Sequence, residues 1–296
     1  MADPLRIFDR PLVRRRRDRL AADFASGGFL VREVIERLLE RLLDVRRQFR
    51  RVMILGAPAG LVEAQIRRQP GLELVIAADE SVAILGAAGR RVVVDAEALP
   101  FAEAAFDLVL SPMLLHWVND LPGTLVQLHR CLAPDGLLLL AMPGGETLVE
   151  LRQVLTEAEL ACEGGASMRV SPFADVRDAG ALLQRAGFAL PVVDVDRITV
   201  SYGDALRLMR ELGRMGEGNA LRQRRPGAMR RDTLALACQL YAERFGDAEG
   251  RVPATFDILF MSGWKPHPSQ QQPARRGSAS VRLADALRVP GGEAQE

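Results

Sequence analysis

Histidine is nearly absent from this chain of 296 residues: there are three, His116, His129 and His267, and they have no ligand-like spacing. The common iron site of two histidines and one carboxylate finds no candidate in that set, so no metal ligand is assigned. Cysteine is equally scarce, with Cys131, Cys162 and Cys238 scattered, odd in number and without a CxxC pair. That argues against a disulfide framework or a structural zinc site and fits a reducing compartment. Neither sign of charge dominates, with 39 Lys plus Arg against 38 Asp plus Glu, so no global field steers the chain to nucleic acid or an acidic membrane surface. No apolar run approaches the roughly 20 residues needed to span a bilayer, and MADPLRIFDR lacks the apolar core of a secretory signal. The expected location is the cytoplasm.

What the chain does have is apolar residues, 48% of the total, enough for a real core. The stretch RVMILGAPAG, Arg51 to Gly60, is an apolar β-type run ending in a glycine turn, and the following LVEAQIRR reads as a helix. Strand, turn and helix in that order form a nucleotide-binding crossover. A second run, ELVIAAD, ends in Asp79, at a strand tip where an acid accepts hydrogen bonds from ribose hydroxyls. Further strands are predicted at 91–94, 106–111 and 137–142, near-continuously apolar as strands buried on both faces should be. Helices at 120–132, 146–163 and 175–185 alternate with them, Pro134-Asp135-Gly136 supplies a turn, and Gly187 is a C-cap candidate.

Outside this core, the N-terminal segment RIFDRPLVRRRRDRLAADF reads as an amphipathic helix or arm whose arginines, Arg14 to Arg17, lie on a solvated face. Residues 29–45 repeat apolar side chains at helical spacing and are expected to act as a lid. Thus residues 1–50 form an N-terminal helical arm and lid, 51–265 an α/β domain and 266–296 a flexible tail with a short helix at 281–287. Within the domain, 203–250 is a helical insertion expected to cap the cleft, with Arg222, Arg224, Arg225, Arg230 and Arg231 beside Pro226.

Ligands of open α/β sheets sit outside the carboxyl ends of the strands. Four stretches fall there: Leu55 to Gly60, Asp79 to Ser81, Asp95 to Phe101 and Ser111 to Trp117. Ser111, His116 and Trp117 are substrate-contact candidates, although a His-Trp pair equally suits packing between strand and helix. Asp95 and Glu97 form a potential acid/base pair, and Glu146 and Arg152 candidates to face the cleft.

That succession of motifs resembles the class I S-adenosylmethionine-dependent methyltransferases over about residues 50–265. The resemblance implies a Rossmann-like α/β fold, a mostly parallel seven-stranded sheet with helices on both faces. It also implies S-adenosylmethionine as cofactor, with Gly56 and Gly60 near its methionine part, Asp79 on the ribose hydroxyls and Asp95 with Ala96 at the adenine. Ile54 stands where the family usually has an acid and Pro58 where it has its middle glycine, so a weak hold on the cofactor is expected. Methyl transfer from a sulfonium asks mainly for alignment, and no catalytic residue is assigned.

A closer resemblance runs through IFDR, LLHWVNDLPGTL, MPGGETLVELR, SPFADVRDAGALLQRAGF, MGEGNA, RRDTL, VPATFDILFMSGWKPHPSQ and RGSAS. These look like the methyltransferase-fold assembly factors of respiratory NADH dehydrogenase (complex I), which are taken to hydroxylate an arginine of a core subunit. The methyltransferase of biotin synthesis that esterifies malonyl-acyl carrier protein is a more distant likeness. The resemblance implies a protein substrate, a complex I subunit, with peripheral membrane association left open and no nucleic acid partner. Three readings stand: an enzyme modifying that subunit, a methyltransferase for a carrier-bound or small carboxylate, and a non-catalytic assembly protein with a degenerate cofactor site.

Overall fold

The computed structural model describes residues 6–22, 28–58, 60–87, 89–225, 227–271 and 277–278. The chain divides into two units, 1–266 and 267–296; the helix predicted at 281–287 lies outside the described residues, as does Pro226. In the first unit the helices are α1 (Arg10–Ala22), α2 (Phe29–Leu43), α3 (Leu61–Ile66), α4 (Val82–Leu85), α5 (Leu121–Cys131), α6 (Val149–Glu163), α7 (Val176–Arg185), α8 (Ala205–Arg214) and α9 (Arg231–Phe245). The strands are β1 (Arg51–Leu55), β2 (Leu74–Asp79), β3 (Arg90–Val93), β4 (Phe106–Pro112), β5 (Leu132–Pro143), β6 (Ala189–Tyr202) and β7 (Val252–Trp264). Among the described residues no helix is long and apolar enough to cross a membrane.

The strands form one seven-stranded sheet in the order β3-β2-β1-β4-β5-β7-β6. β1 to β5 run parallel, and β7 is inserted antiparallel between β5 and β6. The order reverses between β1 and β4, which opens a crevice at their carboxyl ends. β4 shows why the sheet takes helices on both sides. Leu108 and Leu110 join a core with α2, α3, α6 and α9, whereas Val109 points the other way, to a core with α5 and α7. The buried Asp107 just before them accepts from the backbone N–H groups of Arg50 and Arg51, each at 2.9 Å, tying the entry of β1 to β4.

Three expectations change. Residues 29–45 are not a lid, because Leu30, Val31, Val34, Ile35, Leu38, Leu39 and Leu42 are all buried in the core against the sheet. Pro134-Asp135-Gly136 is no separate turn: it lies inside β5, as an irregularity that shifts the register between Phe106 and Leu108, with Asp135 at φ +61°. The insertion does not close over the cleft as a whole. Its helix α9 packs on α6, and only the segment after α8 reaches the strand ends.

That segment is braced from behind. Asn219 donates to the Met168 carbonyl at 2.7 Å, and the Met168 loop is held by Glu159, a fully buried carboxylate accepting from Ser167 N and Arg169 Nε, each at 2.6 Å. Burial pushes the Glu159 pKa up, but the hydrogen bonds from Ser167 and Arg169 more than reverse this, so it lies below the ordinary value. Such a carboxyl adds stability above its unfolded pKa, about 4.3, and loses that contribution as pH falls through its lower folded value. Glu159→Gln is expected to lower stability by about 2–4 kcal/mol near neutral pH, and the deficit should shrink below about pH 4. Chemical denaturation at both pH values checks this, and a deficit independent of pH would contradict it.

Candidate functional site

The crevice is built by three turns and then filled by the chain itself. After β1 the backbone turns at Gly56, φ +89°, whose N–H donates to the Ala78 carbonyl at 2.9 Å, and α3 begins behind Gly60, φ +87°. An added Cβ on Gly56 would sit 2.4 Å from that of Leu114, whereas one on Gly60 would meet nothing within 4 Å. Gly56 is thus a packing glycine, and Gly60 opens on free space where a cofactor can approach. Asp79 ends β2 with no exposed surface and accepts from Ser81 N at 2.7 Å. Ala96 is buried in the turn after β3, while Asp95 is half exposed there. These residues suit a ribose and an adenine.

The acids are already engaged by α1. Arg17, expected on a solvated face, is buried, and its guanidinium donates to Asp79 Oδ2 at 2.5 Å and to the Gly56 carbonyl at 2.8 Å. Arg10 donates to Asp95 at 2.7 Å, sits 2.8 Å from Glu97 and also pairs with Glu80. Next to it a pocket of about 960 Å³ remains, lined by Arg14, Arg15 and Arg222 among others. Asp18 accepts from the Ser81 hydroxyl at 2.6 Å, and that hydroxyl caps α4, accepting from Ile84 N at 3.1 Å. A signal for Arg17 was present in the sequence, since Val13, Arg17 and Leu20 share one helical face and all three are buried.

At the far end of the crevice lie the substrate candidates. The Ser111 hydroxyl is fully buried on β4 and has no hydrogen-bond partner among the described residues. Trp117, in the short 3-10 helix Leu115–Trp117, is covered edge-on by Phe8 with ring centroids 5.4 Å apart. His116 beside it places Nε2 3.0 Å from Glu217 Oε2, and its buried Nδ1 has no partner among the described residues. Glu217, in the MGEGNA segment after α8, was not singled out from the sequence, because nothing local says that it meets a residue 101 positions earlier. Glu97 is no free acid: it pairs with Arg10 and accepts from Asn119 N at 2.5 Å. Arg152 braces backbone, donating to the carbonyls of Gly145 at 2.9 Å and Thr147 at 3.0 Å. In the insertion, Arg224 pairs with Asp9, Arg225 with Glu163 and Arg230 with Asp232, so these three are engaged within the chain.

Residues 55–140 match a methyltransferase domain, which supports S-adenosylmethionine as cofactor. The fold is shared with a putative methyltransferase from Bacillus halodurans, at a TM-score of 0.54 and 17% identity over 79% of this chain and 99% of that one. A malonyl-[acyl-carrier protein] O-methyltransferase from Halorhodospira halophila is 37% identical over 87% of this chain and 88% of its own length. The mitochondrial arginine-hydroxylase NDUFAF5 of Danio rerio is 41% identical over 96% of this chain and 91% of its own. On that likeness across nearly its whole length, the chain belongs to the NDUFAF5 arginine-hydroxylase family.

Proposed function

We propose that this chain binds S-adenosylmethionine between Gly60, Asp79 and Asp95 and modifies an arginine of a respiratory complex I subunit during assembly. The observation that carries the reading is the 41% identity to an arginine hydroxylase over 96% of the chain. The chemistry at the crevice agrees with it. Glu217 puts a carboxylate beside His116 and Trp117, which attracts a guanidinium and repels the carboxylate that a malonyl substrate would carry. Bound S-adenosylmethionine supplies an activated sulfonium carbon. Asp79, now paired with Arg17, would accept from its ribose hydroxyls if Arg17 moved aside, and Ile54, in the position of the usual acid, would give its amino group no anionic partner. Hydroxylation would convert an arginine C–H to C–OH with dioxygen as oxidant and oxygen source, two electrons from a reduced nicotinamide- or flavin-class donor and two protons, the second oxygen atom leaving as water.

Mass spectrometry of the complex I subunits from cells with and without the gene tests this. Loss of one oxygen's mass on an arginine supports hydroxylation, and loss of the mass of one CH2 unit, the net gain of a methylation, turns the reading to methyl transfer. An unchanged subunit in complexes that fail to assemble would contradict enzymatic modification and leave an assembly protein.

A further inference from the structure

Helix α1 does more at the crevice than place Arg17. The residue before it, Arg16, is half-buried and donates from Nη1 to the Gly218 carbonyl. A Cβ built on Gly218 would lie 3.4 Å from both Cζ and Nη1 of Arg16 and 3.5 Å from Nη2. One point nearly equidistant from three atoms of a planar group lies over its face, so the guanidinium lies in van der Waals contact over the side of Gly218 that a Cβ would occupy. Glu217 attracts the same guanidinium, and its carboxylate is fixed by His116 Nε2 at 3.0 Å.

We infer that the Glu217-Gly218 backbone and carboxylate, backed by His116, form a seat for an arginine guanidinium, and that Arg16 fills it in place of a substrate arginine. The segment carrying the seat pairs with the arm just before α1, through Asp9 N to the Ala220 carbonyl and Arg222 N to the Ile7 carbonyl, each at 2.8 Å, but it also has anchors of its own. Asn219 ties it to the Met168 carbonyl at 2.7 Å and accepts from Leu221 N at 2.9 Å, neither of which involves α1. The Gly218 carbonyl accepts directly from the guanidinium, and the Glu217 carboxylate adds charge attraction without pairing with it, which leaves further donors of the planar fork for a substrate arginine to bring onto that carboxylate. The occupant is held against opposition. Burial and the neighbouring Arg224 both push the Arg16 pKa below the ordinary arginine value, and Glu217 pulls the other way. A substrate arginine from another protein relieves that crowding when α1 leaves.

As the identity of the natural ligand, a protein arginine, rests on the proposed function, the test separates the two. The probes are the capped tripeptide glycyl-arginyl-glycine and its citrulline counterpart, titrated calorimetrically into the full-length chain. An internal occupant present about nine-tenths of the time reduces the affinity of an external one roughly tenfold. Arg16→Ala is therefore expected to bind the arginine peptide roughly tenfold more tightly than the parent, with no gain for citrulline. Arg16→Gln, which keeps the length of the side chain and loses its charge, should give the same ranking, with circular dichroism verifying the fold of each variant. Adding Glu217→Gln to either should abolish the gain. An arginine peptide that binds no more tightly to either Arg16 variant, an equal gain for citrulline, or a gain that survives Glu217→Gln overturns the seat. If the seat passes while the complex I arginine carries no modification, the proposed function falls and the seat stands. The converse result, a modified arginine with no guanidinium preference here, does the opposite.

Discussion

Arg17→Ala is expected to bind S-adenosylhomocysteine about tenfold more tightly than the parent chain, an unusual direction for removal of a buried, hydrogen-bonded side chain. The reason is competition. Arg17 Nη2 holds Asp79 Oδ2 at 2.5 Å and the Gly56 carbonyl at 2.8 Å, the acceptors that a ribose and an amino group would otherwise use. As long as α1 is docked, a ligand must displace a charge-assisted contact before it makes one of its own. Asp79→Ala should go the other way, weakening binding by about 2 kcal/mol, roughly thirtyfold, and the double variant should show no gain over Asp79→Ala. Calorimetry on the three variants settles the sign. Weaker binding by Arg17→Ala would mean that the guanidinium turns to grip the ligand, and the arm would then be part of the site instead of its occupant.

Gly56→Ala should be the most damaging small substitution in the crevice, lowering stability by about 3–4 kcal/mol. Two effects add. Its φ of +89° is strained for any L-residue, and the new methyl would lie 2.4 Å from Leu114 Cβ, on a segment fixed between β4 and the short helix that carries His116. Gly60→Ala meets only the first effect, φ +87° with open space beyond, and should lower stability by about 1 kcal/mol. Thermal melts rank the two. Equal losses would mean that backbone strain alone matters at both positions and that Leu114 moves away freely.

The crossover was legible because everything that defines it is local. The apolar run of β1, the glycine turn, α3 and the acid at the tip of β2 lie within 30 consecutive positions, and period and turn chemistry speak at that range. The helical period of 29–45 was legible too, but not its place, since an apolar face suits a lid and a core layer equally; only the partner surface of β4 and β5 decides. The contacts of the arm were beyond reach for the same reason. Four consecutive arginines have one appearance in the sequence and three environments in the fold: Arg14 and Arg15 are exposed, Arg16 is half-buried and Arg17 is buried. Val13 and Leu20 mark the stripe on which Arg17 lies, yet nothing local names Asp79 as its partner, or Glu217 as the partner of His116.

The separation along the chain of these contacts sets the earliest point of synthesis at which each can close. The Asp79 partner of Arg17 is 62 positions away, but the Gly218 partner of Arg16 is 202 away. Chains emerge from the ribosome N-terminus first, and a contact cannot close before its later member exists. For much of synthesis, then, α1 has Asp79 within reach and no seat for Arg16. Closing the longer loop also loses more chain entropy than closing the shorter one. During synthesis, therefore, α1 can be tethered at the cofactor end before the far end of the crevice has the residues that cover it.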